Sequence, residues 1–265
     1  MAQLLLSPET GGKNMIKGLY VAASGSLAIE RQMATIANNL ANVDTSGFKR
    51  DFPVFQSIPP RKEETSLSDQ SLPNPLTFTF AGKNVTDYSQ GPLISTGNPN
   101  DVALEGPGFF TVQSGNEFRY TRHLSLVVNE NGDLLTTHGE KVIGVFGGKY
   151  RPIENLGEGP LTIGPDGSIS QNGGVVGQLR IVDFPKPYPL EKVGYDMFRA
   201  KGQAQPVEAK NTTVHQGMVE KPNVSAIREM TQMITALRGY EAYQKVITSL
   251  DDLTGRAVND LGRIG

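Results

Sequence analysis

The sequence predicts an α+β protein, in which a β-rich central domain is flanked by long N-terminal and C-terminal α-helices. Two observations support this. Near both ends of the chain, apolar side chains recur at alternating steps of three and four residues, as in helices that pair along a narrow seam. The chain also contains 30 glycines and 17 prolines, which indicate many turns. We therefore expect a central meander of hairpins and terminal helices that pair as a coiled-coil layer.

The first helix is expected at about 16–42, within an N-terminal helical region at 15–47. Residues 1–14 lack periodicity and contain Pro8, so they are interpreted as a flexible leader. Turn residues at 44–47 close the helix. Its seam residues follow one another at steps of three or four: Leu19, Ala22, Ser26, Ile29, Met33, Ile36, Leu40 and Val43.

Three asparagines, Asn38, Asn39 and Asn42, lie in the last turns of this helix. The amide of asparagine competes for backbone hydrogen bonds, so three together indicate contacts or termination. We expect these amides to hydrogen-bond backbone groups of the returning chain or of an adjacent subunit. The alternative is that they face solvent and only weaken the helix end.

The middle of the chain changes character twice. The stretch 48–90 is rich in proline and serine and has no helical period, which predicts an extended linker with one short strand at 76–80. From 91 to 213 the pattern predicts strands, with runs at 108–112 and 118–128. The dipeptides Asn131-Gly132 and Asp166-Gly167 favour hairpin turns within this domain.

The C-terminal region, 214–265, is expected to end in a second long helix that opens near Asn223 or Ser225. Its apolar positions form two sets, and the step between the sets shifts the seam by a fraction of a turn. Narrow seams favour pairing between helices, within and between subunits, over packing on a globular core. The predicted assembly interface combines the seams with the asparagines: Leu19, Ile29, Met33, Ile36, Asn38, Asn39, Leu40, Asn42, Ile227, Met230, Ile234, Leu237, Tyr240, Tyr243, Ile247 and Leu250.

Composition and motifs do not support an enzyme, a nucleic-acid-binding protein or a membrane-spanning protein. The formal net charge is -2, which provides no positive electrostatic potential to attract nucleic acid. The chain has no cysteine, so disulfides and thiolate chemistry are excluded. His123 and His138 could face each other across a hairpin, but two imidazoles without a third ligand make a poor zinc site. We expect no catalytic residue, cofactor, small-molecule substrate or membrane span.

Four blocks of the sequence, in order, resemble the rod and hook proteins of the bacterial flagellar basal body. The stretch 36–50, IANNLANVDTSGFKR, is similar to the family's ANNLAN motif and the T-x-GF-K/R run that follows it. The other blocks are TGNPNDVALEGPGFFTV at 96–112, YTR at 120–122 with the glycine-rich stretches after it, and 214–246. The chain departs from the family pattern at Leu124 and at Lys221-Pro222, which affects local loop contacts.

The resemblance implies a structural component of the flagellar rod that polymerises through its terminal helices and transmits torque. The stretch between the blocks is too short for the extra outer domains of the hook protein. The ending at 246–257 is more similar to the proximal than to the distal rod protein. The implied partners are other rod proteins, copies of this chain and the flagellar export apparatus. The implied location is the periplasm-spanning rod, reached without a cleaved signal peptide.

The sequence leaves open two alternatives to a proximal rod protein. One is the distal rod protein of the same family. The other is a secreted coiled-coil adhesin or adaptor, whose β domain binds a ligand while the helices only oligomerise it. An adhesin of this kind would form a closed oligomer, whereas a rod requires heterologous contacts that do not close.

Overall fold

A computed structural model describes residues 8–58, 78–194 and 196–262. It confirms the α+β class, with a helix at each end and a β-rich centre. The helices are α1 (Pro8–Ala41) and α2 (Ala226–Gly262). The strands of the described residues are β1 (Asp51–Ile58), β2 (Phe78–Thr86), β3 (Leu93–Ser95), β4 (Asp101–Glu105), β5 (Phe109–Ser114), β6 (Glu117–Thr121), β7 (His123–Val128), β8 (Leu134–Thr136), β9 (Lys141–Phe146), β10 (Lys149–Pro152), β11 (Leu161–Ile163), β12 (Ser168–Gln171), β13 (Gly174–Leu179), β14 (Ile181–Asp183), β15 (Leu190–Val193), β16 (Met197–Ala200), β17 (Val207–Glu208), β18 (Thr213–Gln216) and β19 (Met218–Glu220).

Helix α1 is longer at its start than the sequence predicts. It begins at Pro8, so residues 8–14 of the predicted flexible leader are helical, and residues 1–7 lie outside the described residues. Proline is tolerated in the first turn, where its missing N–H would have no partner within the helix. The helix ends at Ala41, after which the amide of Thr45 donates to the carbonyl of Asn42 at 3.1 Å. Gly47 completes this turn with a φ of 75°, a conformation that favours glycine.

The predicted linker contains a two-stranded ribbon. Strands β1 and β2 pair antiparallel, from Asp51 opposite Thr86 to Ile58 opposite Phe78. Of the short strand expected at 76–80, residues 78–80 are the start of β2, and residues 76–77 lie outside the described residues. Strand β1 was not predicted. Pro53 lies within β1, where the register shifts between Pro53 and Phe55, and proline is compatible with bulges and edge strands.

The central strands form one large antiparallel sheet and confirm the predicted hairpins. The main path runs β15-β16-β6-β5-β9-β8-β7-β4-β18, with β10 to β14 and β17 attached to it. Both glycine dipeptides lie in tight turns: the amide of Gly132 donates to Asn129 at 3.0 Å, and that of Gly167 donates to Gly164 at 2.9 Å. Strand β19 pairs separately with β3.

The described residues divide into two units. The first contains α1 as far as residue 40, the β1–β2 ribbon and α2. The second contains residues 41–50 and 87–224, and its core is built from buried aliphatic side chains and a separate aromatic cluster around Phe109 and Phe198. The ribbon, which the sequence predicted as part of a linker, therefore belongs with the helices. No helix in the described part of the chain is long and apolar enough to cross a membrane.

Candidate assembly site

The two helices of the first unit approach each other closely where each carries a glycine. A methyl group on Gly25 would lie 2.5 Å from atoms of the Tyr243 ring, and one on Gly239 would lie 2.9 Å from Cδ1 of Ile29. Such distances are shorter than van der Waals contact. The tyrosine ring and the isoleucine side chain therefore fill the spaces that the two glycines leave open.

The contacts between the helices share one antiparallel register. Near the start of α1, Gly18 lies opposite Leu250, whose Cδ1 would be 3.7 Å from a methyl group at that glycine. From Gly18 to Gly25 the chain advances seven residues, and the opposing residue moves back seven, from Leu250 to Tyr243. Each residue forward along α1 thus corresponds to one residue back along α2. For any residue of one helix, this register identifies the residue of the other helix that lies at the same height along the axis.

Helix α2 has apolar residues on two opposite sides. The side that faces α1 contains predicted seam residues that are half-buried in the structure: Tyr240, Tyr243, Ile247 and Leu250. The other predicted set is exposed, and we call it the outer stripe of α2; its members and exposures are Ile227 at 81%, Met230 at 51%, Ile234 at 55% and Leu237 at 48%.

The two sets cannot form one seam, because they point in different directions. Ile234 and Tyr243 are nine residues apart, which is two and a half turns of a helix with 3.6 residues per turn. The sequence predicted a seam shifted by only a fraction of a turn. In the structure one set contacts α1, and the outer stripe has no covering element among the described residues.

Helix α1 is also two-sided. Of its predicted seam residues, Ala22, Ser26 and Ile36 are buried. Four others on the helix are half-buried, namely Leu19, Ile29, Met33 and Leu40, as is Val43 just after the helix. Tyr20 and Leu27, seven residues apart, are exposed at 64% and 59%. The sequence analysis missed these two, although their heptad spacing was a usable signal.

Asn39 joins three segments of the first unit. Its Nδ2 donates to the carbonyl of Asp51 at 2.8 Å, while its Oδ1 accepts from the amide of Asp51 at 3.0 Å. Nδ2 also donates to Oε2 of Glu229 at 3.2 Å. Both side chains are buried, at 1% and 0% exposure. The amide therefore connects the end of α1 to the first residue of β1 and to the first turn of α2, as was expected of a bond to the returning chain.

The other two asparagines differ from Asn39. Asn42 is buried, and its Oδ1 accepts from the hydroxyl of Thr45 at 3.2 Å, which supports the turn after α1. Asn38 is exposed on the helix. Asn39 thus makes the backbone contacts to the returning chain that were expected of these amides.

The second unit contains a buried cluster of three charged side chains. The carboxylate of Glu220 accepts from Lys49 Nζ at 2.5 Å and from Arg122 Nε at 2.8 Å. It also accepts from the amide of Gly91 at 2.9 Å. Side-chain exposures are 1% for the lysine, 5% for the arginine and 0% for the glutamate.

Backbone carbonyls accept further hydrogen bonds from the two cations. Lys49 Nζ donates to Ser89 O at 2.7 Å. Arg122 Nη1 donates to Gly106 O at 2.8 Å and to Gly108 O at 2.6 Å. Buried charges are tolerated when they are paired and hydrogen-bonded in this way. The cluster therefore joins five separate stretches of chain: the turn after α1, residues 89–91, residues 106–108 before β5, the junction of β6 and β7, and the end of β19.

Burying the three charged side chains of the cluster costs free energy, because the charges lose their hydration. Burial lowers the pKa of Lys49, and the attraction of Glu220 offsets this only in part. Buried ion pairs of this kind contribute little net stability, but removing one partner is strongly destabilising. Removal of any one of the three charges is therefore expected to destabilise the second unit strongly.

Asn223 completes the same region of the second unit. Its Oδ1 accepts from the amide of Arg50 at 2.7 Å, and its Nδ2 donates to Asp87 O at 2.9 Å. Gly91 is required beside it, because a methyl group there would lie 1.8 Å from the carbonyl oxygen of Lys221. The sequence analysis did not identify these residues or the charged cluster. A usable signal was present, since Lys49, Arg122 and Glu220 each lie in one of the family-like blocks.

His123, at the start of β7, lies near carboxylates in the second unit, whereas His138 lies in the turn after β8. A methyl group on Gly47 would be 3.2 Å from His123 Cβ and 3.8 Å from Asp196 Cβ. Burial lowers the pKa of His123, against the opposing effects of Asp101 and Asp196. Among the described residues, no group of three or more acidic or histidine side chains is arranged to hold a metal ion.

Comparisons with known proteins match this chain over nearly its whole length. Family models match at three places: a flagella basal body rod protein at 19–49, a flagellar hook protein FlgE/F/G D1 domain at 103–176, and the C-terminal part of the flagellar basal body rod FlgEFG proteins at 215–261. The flagellar basal-body rod protein FlgF of Caulobacter vibrioides is 32% identical over 250 residues, which cover 94% of this chain and 100% of that protein.

The chain belongs to the flagellar basal-body rod protein family. FlgG of Buchnera aphidicola subsp. Schizaphis graminum is 34% identical over 90% of this rod protein and 97% of its own length. FlgG of Bacillus subtilis is 28% identical over 92% of this rod protein and 99% of its own length. These findings confirm the resemblance seen in the four sequence blocks, and a proximal rod type is consistent with them. The rod protein is a structural component of the flagellar basal body.

The family segments meet at the charged cluster. Each of the three matched segments contributes one member: Lys49 comes from the first, Arg122 from the second and Glu220 from the third. The outer stripe of α2 lies in the third segment. The cluster and the stripe are therefore features of the family-like parts of this rod protein.

Proposed function

We propose that this rod protein polymerises through α1 and α2 and transmits torque as part of the proximal rod. In this proposal the two helices, from regions 15–47 and 214–265, form one discontinuous helical domain and pair as the coiled-coil layer of the rod. The central domain at 91–213 is carried by that layer. The predicted interface residues act in two ways: some hold the helix pair together, and others contact neighbouring subunits.

The observation that carries this proposal is the outer stripe of α2. Four large apolar side chains at heptad-like spacing, each about half exposed or more, form a surface that a soluble monomer seldom presents. Heptad spacing of this kind fits a second helix. The opposite side of α2 already contacts α1, so the stripe is available to another subunit.

The proposed partners are other rod proteins, copies of this chain and the flagellar export apparatus. The proposed location is the periplasm-spanning rod, which the chain reaches by export. A distal position is the second candidate, because FlgF and FlgG proteins cover the chain about equally well. A closed adhesin-like oligomer has no support in the family comparison.

Replacing Leu237 by aspartate tests the proposal. The change places a charge in a surface that assembly would desolvate, so cells carrying it should assemble no rods and should not swim. The purified variant should keep the circular dichroism and melting of the second unit. Thr235→Asp is the matched control, since it adds the same charge to the same helix at an exposed position off the stripe, and those cells should swim.

Two outcomes would contradict the proposal. Normal motility with Leu237→Asp would mean that the stripe makes no assembly contact. An equal loss of stability in the second unit would mean that the helices belong to its core. Met33→Asp, on the side of α1 that faces α2, should also block assembly because it disrupts the helix pair.

A further inference from the structure

We infer that the outer stripe of α2 docks on the outer side of α1 of a second copy of this chain. The docking site on α1 is the exposed surface around Ala34 and Ala37, flanked by Glu30. This inference rests on the proposed function and specifies which surfaces of neighbouring copies meet. The inference is supported by the positions of large, small and charged side chains along the two helices.

The two surfaces lie on opposite sides of the helix pair. The contacts of Gly25 with Tyr243 and of Gly239 with Ile29 define the inner sides of both helices. Ala34 is nine residues beyond Gly25, so it points away from α2, as Leu27 does. The outer stripe of α2 points away from α1 in the same manner. A copy displaced sideways would therefore bring the α2 stripe of one subunit against the α1 surface of the next.

The surfaces also match in size at the same level. The antiparallel register, continued along the helices, places Ile234 level with Ala34 and Met230 level with Asn38, one residue beyond Ala37. The α2 side chains there are large and exposed at 55% and 51%, and both alanines are exposed. Large side chains of one helix fit against small side chains of another, because the backbones can approach closely.

Charge supports the same pairing. Arg238 borders the outer stripe and is exposed, and the register places it level with the exposed Glu30 of α1. A sideways neighbour would thus bring a guanidinium next to a carboxylate, whereas a pairing of two α2 stripes would bring two arginines together. Opposite charges beside an apolar helix seam select the partner and its orientation.

The resulting contact is heterologous, because each copy contributes a different surface. Contacts of this type repeat without closing unless the rotation forms a ring. The partner expected at the outer stripe is therefore a second copy of this chain, added side by side.

Introduced cysteines test the docking directly, since the native chain has none. In cells that express Ile234→Cys with Ala34→Cys, oxidised basal bodies should contain covalent multimers of this chain. The two cysteines lie on opposite sides of one helix pair, so they cannot bond within a subunit. Each single variant should give no multimer. Ile234→Cys with Tyr20→Cys should also give none, because Tyr20 is on the outer side of α1 but about 21 Å away along the helix axis.

Charge reversal identifies the partner. Arg238→Glu and Glu30→Arg should each reduce rod assembly, and the double variant should restore it, as only a second copy carries the compensating charge. Assembly into basal bodies without multimers would overturn the docking while leaving the proposed function intact. Failure of the double variant to restore assembly would overturn the choice of a second copy. Absence of the double-cysteine chain from basal bodies, while the single variants are incorporated, would contradict the expected fit.

Discussion

Replacing Glu220 by glutamine should destabilise the second unit by about 3 to 5 kcal/mol, the usual cost of removing one partner from a buried ion pair. Glutamine keeps the size of the side chain and an oxygen for the amide of Gly91. It removes the charge that Lys49 and Arg122 share, and these cations are only 1% and 5% exposed. The loss is therefore electrostatic, and neither cation can turn to solvent to recover its hydration.

The pH dependence of this cost provides a second readout. Burial already lowers the pKa of Lys49, and the loss of Glu220 removes the group that opposes this effect. In the variant, the lysine should therefore lose its proton at a lower pH than in the native protein. The difference in stability between the two proteins should be largest near neutral pH and smaller in alkaline solution, where Lys49 of the variant is neutral.

Urea denaturation of the full chain measures this cost. The chain has no tryptophan, but Tyr88, Tyr120 and Tyr188 lie in the aromatic cluster of the second unit, so near-UV circular dichroism reports on its unfolding. Glu154→Gln is the matched control. Its ion pair with Lys141 has the same 2.8 Å separation as that of Arg122 with Glu220, but both partners are 43% exposed, so a much smaller loss of stability is expected. Equal costs for the two glutamine variants would refute the electrostatic account of the cluster.

Three further predictions concern Asn39, His123 and Gly91. Asn39→Ala should destabilise the helices by about 2 to 4 kcal/mol, measured by thermal melting followed by far-UV circular dichroism, because two backbone groups and a buried carboxylate lose a partner. The control Asn38→Ala, at an exposed position, should change the melting little. Motility should be impaired by Asn39→Ala and not by Asn38→Ala. Burial lowers the pKa of His123 from its ordinary value, so on acidification the unfolded chain binds more protons than the folded chain. The second unit should therefore lose stability from pH 7.5 to 5.5. In urea titrations, His123→Gln should make stability depend less on pH over this range. Gly91→Ala should prevent normal folding of the second unit, visible as loss of the near-UV signal, while Gly97→Ala, which has open space around it but a φ of 70°, should cost only about 1 kcal/mol.

The sequence predicted those features that local periodicity determines. The helices, the two glycine turns and the β-rich centre follow from spacing and turn chemistry, and all are present. Strand β1 could not be predicted in the same way, because Pro53 disfavours a strand unless a bulge accommodates it, and a bulge depends on the partner strand. The start of α1 was placed too late because the glycines near residue 12 weaken the helical signal without ending the helix.

The charged cluster was beyond sequence reasoning for another reason. Lys49, Arg122 and Glu220 are far apart in the chain, and each taken alone reads as an ordinary surface charge. Their mutual burial is a property of the tertiary structure. The two apolar sets of α2 were each visible in the sequence, but a heptad pattern does not say which set a helix uses internally. That choice depends on Gly25 and Gly239, which allow close approach on one side only.

The contact between Lys49 and Glu220 has an evolutionary consequence. The chain enters the second unit for the second time at residue 87 and leaves it after residue 224. Ser89 accepts from Lys49 and Gly91 donates to Glu220, so the stretch 87–224 begins and ends beside the same contact. A segment attached in this way can be lengthened, shortened or exchanged without moving apart the two points to which it is tethered. Lineages of axial proteins can thus diversify the inserted domain by duplication or replacement, while selection on the termini continues to preserve a common polymer.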